Sequence, residues 1–300
     1  MPRVLAYAIL LSPAVLLNAE SVALDAAPLQ AHTTLEGSCL MQVSRKRSSS
    51  NRKHRSHGGC APPDYTKLDS FLKKFVSAPT MKQGVNSTLL DYQAALSSAE
   101  ALAELDAFTT ALDSADVSGC SQDAKLAFWA NTYNALIIQQ VLKDAQKQKG
   151  MLTASIRDIE CKEATKVWNC PAGSVGSKKM TLEGVLSAAS KLKDPRIHAA
   201  VNCASLSCPD LRAEAYSAEK IDAQLNEQVS TWLQNPTKGA KMIKGNGGTT
   251  SLTISPIFQW HSEDFPDLLG FLAGALGLKR DSVTVSGHFE YNWVLNSAPS

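Results

Sequence analysis

Hydrophobic and polar positions divide the chain into three parts, and the first part is a short apolar run. Residues 4–17 are almost all apolar and follow Arg3, and a small residue precedes the next charged position. This is the pattern of a secretory signal peptide, which we place at residues 1–19. The run is shorter than the ~20 residues that a membrane-spanning helix needs. The sequence therefore predicts a secreted protein or one of the secretory-pathway lumen.

The second part, residues 20–63, has no regular hydrophobic period and is predicted to be a disordered basic linker or pro-segment. Six Lys or Arg lie among serines and histidines at positions 45–57. Three interpretations are open: a solvated linker, a protease processing site at residues 52–55, or a patch that contacts polyanions or acidic lipid. Other partners are not identified. Because the whole chain has a formal net charge of only +2, sequence-specific nucleic-acid binding is not expected.

The third part, residues 64–300, is predicted to fold as one domain. Residues 1–63 hold seven Lys or Arg and three acids, which leaves 23 bases and 25 acids for the domain. The domain is therefore faintly acidic. Since 44% of the chain is hydrophobic, it can bury a sizeable core.

Apolar positions in this domain recur mainly with helical spacing. They predict helices over residues 65–75, 89–96 and onward to 112, 121–147, 181–192 and 216–233 with Ser217 as its N-cap. Residues 258–265 lead into a last predicted helix, which runs through residue 276. Shorter segments at residues 197–201, 252–257 and 283–296 predict strands. Helices outnumber strands and do not alternate regularly with them. The expected fold is therefore α+β, a helix-rich single domain with a small, mainly antiparallel sheet.

Two amides stand out in the apolar helix 121–147. Asn131 and Asn134 are three residues apart and therefore share a face. A buried amide needs hydrogen-bond partners, so both are expected to clamp a neighbouring loop; the alternative is that Asn131 orients a catalytic histidine. Asn86 begins a glycosylation sequon, which would mark surface in a secretory lumen.

Seven cysteines are unusual for a cytosolic protein. Cys39 and Cys60 flank the basic run, and five cysteines lie in the domain. Because five is odd, at least one of these thiols has no partner within the domain, and it stays unpaired unless it reaches Cys39 or Cys60. The candidate disulfide-forming residues are Cys161, Cys170, Cys203 and Cys208. A Cys203–Cys208 bond would close a tight loop.

The same loop is also the candidate catalytic site. Cys203 follows the predicted strand 197–201 and could act as a thiol nucleophile. His198 is one candidate base, but its odd offset from Cys203 would place the two on opposite faces of a straight strand, so His261 is the alternative. A zinc site from His198, Cys203 and Cys208 is a third possibility; because its spacing is unusual and a fourth ligand is not evident, no metal and no cofactor are predicted.

Polar side chains near this loop are candidate binding residues. Arg196 and Arg212 could hold a carboxylate or phosphate with their planar forks, or pair with local acids instead. Asp264 is expected to pair with one of these arginines, and Asn134 is a further candidate. The five tryptophans are interpreted as core or wall residues rather than a ligand cage.

Several ordered motifs resemble the domain of unknown function 547 family. They are Phe128-Trp129-x-Asn131-x-Tyr133-Asn134, Asp194-Pro195-Arg196-Ile197-His198, Cys203-x-Ser205-x-x-Cys208-Pro209, Leu211-Arg212, Phe258-x-Trp260-x-x-x-Asp264-Phe265 and Tyr291-Asn292-Trp293-x-Leu295-Asn296. The resemblance covers about residues 64–296 and implies a fold rather than an activity. Asn292 stands where the family usually has Asp, and the acid–histidine pair that often precedes Asp194 is missing from residues 181–193.

Two classes of function follow from these residues. The sequence favours a binding or scaffold module on a disulfide-pinned domain. The alternative is a cysteine hydrolase or transferase of papain-like or transglutaminase-like type, using Cys203 with a histidine base. A free, reactive Cys203 would favour the enzyme, and a Cys203–Cys208 disulfide would favour the module.

Overall fold

The computed structural model describes residues 59–164 and 166–299. The predicted signal peptide, the basic run 45–57 and Cys39 lie outside these residues. The described helices are α1 (Thr66–Phe75), α2 (Tyr92–Leu96), α3 (Ala99–Ala111), α4 (Gln122–Lys147), α5 (Leu182–Ser190), α6 (Ile197–Ala200), α7 (Ile221–Leu233), α8 (Ile257–Trp260) and α9 (Leu268–Leu276). The described strands are β1 (Thr80–Lys82), β2 (Val85–Ser87), β3 (Pro171–Val175), β4 (Lys178–Thr181), β5 (Ala240–Lys244), β6 (Thr250–Ile254) and β7 (Val283–His288).

The strands form three small sheets among these helices. β1 pairs with β2 and β3 with β4, both antiparallel. In the third sheet β6 lies between β5, to which it is antiparallel, and β7, to which it is parallel. The predicted helix-rich α+β class is confirmed.

Helix α4 lies at the centre of the larger core. Ser121 caps its first turn by accepting a hydrogen bond from the Ala124 amide, and Asp123 and Lys147 suit the two ends of the helix dipole. Buried residues cover most of its circumference, including Phe128, which is fully buried. The helix therefore packs on several neighbours at once, chiefly α5, α3 and α7.

A second core covers the three-stranded sheet. Leu252 and Ile254 of β6 pack with residues of α7 and α9, and the indole ring of Trp232 stacks on Phe258 with the ring planes 15° apart. Ala199 of α6 belongs to this core, while its neighbours Ile197 and Ala200 belong to the first. Helix α6 is therefore wedged between the two cores.

The strand predicted at residues 197–201 is wrong, because the segment forms helix α6. All four residues of α6 are buried. A segment buried on every side has no polar face, so its spacing cannot distinguish a strand from a helix. The Asp194 carboxylate also accepts a hydrogen bond from the Arg196 amide, which favours a turn at this point.

Two other predicted elements differ from the structure at one end. The helix predicted to run through residue 276 corresponds to α9, which Asp267 caps by accepting from the Gly270 amide. The strand 283–296 ends at His288, because the residues after it pair with a loop instead of a sheet. Helix α7 begins at Ile221, so Ser217 is not its N-cap.

Disulfides fix two loops of the domain. Cys60 is bonded to Cys120, and the adjacent Ala61 forms a backbone bridge with Asp116. Residues 59–63, which the sequence placed in the linker, are thus joined to the fold. Cys161 is bonded to Cys170, and both were among the candidate disulfide-forming residues. Within the described residues, no helix has the length and apolarity that crossing a membrane requires.

We predict that the two disulfides stabilise the domain unequally. They close loops of 60 and 9 residues. On the loop-entropy account, replacing Cys60 and Cys120 by Ser lowers the free energy of unfolding by about 4 kcal/mol, and the same change at Cys161 and Cys170 by about 2.5 kcal/mol. Urea unfolding of the two double variants measures the difference. A larger loss from the short loop would contradict this ordering.

Candidate active site

The candidate site is built on an irregular loop, residues 201–210, whose residues are all buried. Asn134 of α4 holds its beginning: the side-chain amide donates to the Ala200 carbonyl over 2.9 Å and accepts from the Asn202 amide over 2.9 Å. The Asn202 side chain then donates to the Pro209 carbonyl over 2.7 Å and accepts from the Ala204 amide over 2.8 Å. The loop is therefore closed on itself and fixed to the central helix.

The C-terminal segment holds the other side of this loop. The Leu206 amide donates to the Val294 carbonyl over 2.9 Å, and the Asn296 amide donates to the Ala204 carbonyl over 3.0 Å. The Asn296 side chain, which is fully buried, donates to Asn202 over 3.2 Å. These contacts explain why residues 289–296 leave the sheet.

A buried ion pair fixes the end of the loop. The Lys238 ammonium lies 2.7 Å from the Asp210 carboxylate and also donates to the Ser87 hydroxyl over 2.9 Å. Lys238 is 1% exposed, and burial lowers the pKa of its ammonium. Removing either partner would leave a buried charge without compensation, so the pair has to form as a unit.

Backbone strain is present beside the candidate nucleophile. Ala204 has a φ of 60°, in the left-handed region that disfavours residues with a Cβ. It lies directly after Cys203 and is 1% exposed. Such strain persists only where surrounding contacts hold it, and it is concentrated at functional sites.

The Cys203 sulfur is surrounded by hydrogen-bonding groups. It lies 3.1 Å from the Ser205 hydroxyl, 3.3 Å from the Tyr291 hydroxyl and 2.7 Å from the Cys208 sulfur, which acts as donor. The Cys203 amide in turn donates to the Cys208 sulfur over 2.9 Å. Both cysteines are free, so the predicted Cys203–Cys208 disulfide is not formed. Instead, Cys208 hydrogen-bonds to its neighbour.

These contacts change the acidity of the two thiols in opposite directions. Burial raises the pKa of Cys203, but hydrogen bonds from Cys208, Ser205 and Tyr291 outweigh burial and lower this pKa to about 7. Burial and the neighbouring Cys203 thiolate raise the pKa of Cys208 well above its ordinary value. Cys203 is therefore the thiolate of the pair, and Cys208 keeps its proton.

A histidine–carboxylate pair lies in the same region. The His198 Nε2 is 2.8 Å from the Asp264 carboxylate, and the His198 ring stacks on His261 with centroids 4.5 Å apart. Burial and the adjacent His261 lower the pKa of His198 to about 4 against the opposing effect of Asp264. His198 is therefore neutral at pH 7. The ionised Asp264 carboxylate then accepts a hydrogen bond from His198 Nε2–H. In this tautomer Nδ1 carries no proton and is the basic nitrogen.

Thiols and histidines line one cavity of about 200 Å³. Cys203, Cys208, His198 and His261 contribute to its wall. Most of the remaining wall is aromatic and consists of Tyr133, Trp168, Trp260, Tyr291 and Trp293. A reactive sulfur and two imidazoles thus share one largely apolar chamber.

The structure places the predicted site residues in two groups. Cys203 and His198 both line the cavity, and Asp264 reaches this group through its contact with His198. Asn131 does not: its side chain accepts from the Tyr216 amide over 2.9 Å and donates to the Tyr216 carbonyl over 2.8 Å. Asn131 and Asn134 are thus both loop clamps. The role of Asn131 in orienting a histidine is not supported.

The two arginines have carboxylate partners already. Arg196 pairs with Asp194 and Asp222, both within 2.8 Å. Arg212 pairs with two glutamates, each at a distance of 2.7 Å. The expected pairing of Asp264 with an arginine is wrong, because Asp264 bonds to His198. Asn86 lies partly exposed in β2.

Sequence reasoning missed the roles of Tyr291, Ser205 and Glu183. Tyr291 and Ser205 lie inside two of the family-like motifs, and this position was the one sequence feature that could have pointed to them. Only the fold shows that Tyr291 contacts Cys203. Glu183, in the first turn of α5, lines the cavity. Within the described residues, no group of three or more His, Cys, Asp or Glu side chains is arranged to bind a metal ion.

The fold and the site define a helix-rich α+β domain with an unbonded thiol beside a His–Asp pair. Residues 117–233, about two fifths of the chain, match the model of the family described as "Protein of unknown function, DUF547", which supports membership of that family. The match includes His198 and Cys203, whereas Asp264 and Tyr291 follow it. Neither the curated proteins nor the solved structures contain a match to the chain.

The Asn292 departure from the family pattern has a structural explanation. Its side-chain oxygen accepts a hydrogen bond from the Val294 amide over 3.0 Å. An aspartate oxygen accepts in the same way, so either residue can hold this turn.

We predict that alkylation of Cys203 by iodoacetamide depends on pH with a midpoint near 7. The pKa of Cys203 is lowered to about 7, and only the thiolate reacts. Tyr291→Phe should move the midpoint to higher pH, because the thiolate loses a hydrogen-bond donor. Peptide mapping after labelling across the pH range measures both, with Cys203→Ser as the blank. A midpoint near that of a free thiol in the wild type would refute the hydrogen-bond account.

Acid should destabilise the domain through His198. Its folded-state pKa is about 4, below the ordinary value of 6.5. Between these values the unfolded chain binds more protons, so the free energy of unfolding falls as the pH is lowered through this window. His198→Gln, which can still donate to Asp264, should flatten this dependence. Urea unfolding from pH 7 down to 4.5 tests it, and equal slopes for both proteins would contradict it.

Proposed function

We propose that this domain catalyses thiol-dependent acyl transfer, as a cysteine hydrolase or transferase with Cys203 as the nucleophile. The observation that carries the proposal is an unbonded Cys203 in the same cavity as a His–Asp pair. By the criterion of a free thiol, this arrangement favours the enzyme over the module that the sequence favoured. Strain at Ala204 and the many clamps on the loop support a preorganised site.

The first proposed step acylates Cys203. The thiolate attacks the carbonyl carbon of an ester or amide and forms a C–S bond. The bond from that carbon to the leaving oxygen or nitrogen breaks, and the leaving group takes up a proton from solvent. Tyr291 supports this step as a hydroxyl donor 3.3 Å from the sulfur, and burial, the largest influence, keeps its pKa well above ordinary, so it stays protonated.

The second proposed step releases the acyl group. His198, neutral at pH 7 and bonded to Asp264, accepts a proton from water or from an acceptor amine or alcohol as that molecule attacks the thioester carbonyl. The C–S bond breaks, and the Cys203 thiolate is restored. The proton on His198 then passes to solvent, or to the next leaving group.

We also propose that the protein enters the secretory pathway and is secreted or stays in the lumen of that pathway. The signal-peptide pattern at residues 1–19 suggests this location, and the two disulfides are compatible with it. N-terminal sequencing of the secreted form would identify the cleavage site. Retention of residues 1–19 in the mature protein would refute the proposal.

The catalytic proposal predicts a burst of 4-nitrophenol from 4-nitrophenyl acetate, with one acetyl group on Cys203 by mass spectrometry. Cys203→Ala should abolish the burst. His198→Gln should slow the steady state by on the order of 10²- to 10⁴-fold, which is the usual contribution of a general base.

Lys147→Gln, at the far end of α4, is the matched surface control, and thermal unfolding verifies that each variant is folded. A folded wild type without acetylated Cys203 would overturn the enzyme and return the domain to the class of binding modules. A Cys203→Ala variant that keeps the burst would have the same effect.

A further inference from the structure

A second, larger space lies beside the catalytic cavity. An outer cleft of about 840 Å³ shares Trp168, Glu183, Trp260 and Trp293 with the wall of the 200 Å³ cavity. A molecule held in the cleft would therefore extend toward Cys203. The outer cleft is where the part of a substrate that does not react would lie.

Flat aromatic faces form the shared wall. The rings of Trp260 and Trp293 stack with planes 17° apart and centroids 5.4 Å apart, and Trp168 meets Trp293 edge-on at 5.4 Å. Trp260 is 44% exposed, which is unusual for so large an apolar side chain. The wall offers a planar apolar surface to solvent and to any ligand in the cleft.

A disulfide holds part of this wall in place. Cys161 and Cys170 close the loop that carries Lys166 and Trp168. Trp168 thus lies on a short constrained segment that loses little freedom when a ligand binds. Preorganisation of this kind increases affinity because less conformational entropy is lost.

Two cations at the cleft lack acidic partners. The Arg157 guanidinium lies 5.6 Å from the Trp293 ring, and Lys166 also lines the cleft. Among the described residues, no carboxylate lies within ion-pairing distance of either one, whereas Arg196 and Arg212 each have two. Glu183 is the acid of this wall, and no basic side chain of the described residues lies within ion-pairing distance of it, so these three charges sum to +1.

We infer that the cleft binds an acyl donor whose non-reacting part combines a flat apolar face with an anionic group. The flat face would stack on Trp260 and Trp293, and the anion would lie near Arg157 and Lys166. The acyl carbon would then reach Cys203. This inference rests on the proposed function, because it names the substrate class of the same site.

Four thiol-alkylating probes test the inference on the full-length protein. They are iodoacetamide, iodoacetate, N-(1-naphthyl)iodoacetamide and an iodoacetamide coupled to naphthalenesulfonate. Each labelling rate at Cys203 is divided by the rate of the same probe with glutathione, which removes intrinsic reactivity. We expect the naphthalenesulfonate probe to exceed iodoacetamide by about tenfold or more on this scale.

Variants then assign the preference to the cleft. Arg157→Gln and Trp260→Ala should each lower the naphthalenesulfonate-to-iodoacetamide ratio by about fivefold, as expected for one exposed charge or stacking contact. Lys147→Gln should leave the ratio unchanged. Arg157 and Trp260 are both exposed, so these substitutions leave the core intact.

The outcomes separate the two proposals. Failure of iodoacetamide to label Cys203 would overturn the proposed function. Labelling without a preference for the naphthalenesulfonate probe would overturn only the substrate class. A preference for the neutral naphthyl probe, with no effect of Arg157→Gln, would overturn the anionic part and keep the flat face.

Discussion

Buried amide side chains are the constraint on which the rest of this structure depends. The loop that carries Cys203 has no ladder of its own, yet it lies entirely inside the protein. Asn134, Asn202 and Asn296 supply the missing hydrogen bonds, and Gln228 donates to the carbonyls of Ala199 and Asp210. A buried polar group left unsatisfied costs about 1–3 kcal/mol, so losing several of these bonds would remove much of the stability of a typical domain.

This constraint connects parts of the chain that are distant in sequence. Asn134 comes from the central helix, Gln228 from α7 and Asn296 from the C-terminal segment, so the loop forms only when all three have packed. The wedged position of α6 between the two cores has the same consequence. The site is therefore a product of the whole domain, and no single supersecondary unit could hold it.

Sequence periodicity predicted the parts that depend on local pattern. The predicted helix 121–147 differs from α4 by one residue at its start, because apolar residues recur along the whole segment and Asp123 suits its first turn. Asn131 and Asn134 were expected to clamp loops because a buried amide needs partners, and they do. Helix α6 could not be predicted, since burial on every side removes its period.

The hydrophobic pattern also could not predict contacts between residues that are far apart in the sequence. Tyr291 meets Cys203 across 88 positions, and Asp264 meets His198 across 66. On a straight strand, His198 would face away from Cys203. Residues 197–200 are helical instead, and both histidines line the cavity with the thiol.

The protonation states in this cavity separate two tasks that thiol enzymes often assign to one ion pair. In a thiolate–imidazolium pair, the proton of the cysteine is kept by the histidine. Here hydrogen bonds lower the pKa of Cys203 to about 7, while burial lowers that of His198 to about 4. Near neutral pH the thiolate can therefore coexist with a neutral imidazole. In the proposed mechanism, the sulfur would be activated without a charged histidine, and the histidine would keep a free lone pair for the molecule that attacks second. Both conditions depend on the burial of Cys203 and His198, because solvation of these side chains would weaken the hydrogen bonds of the one and restore the basicity of the other.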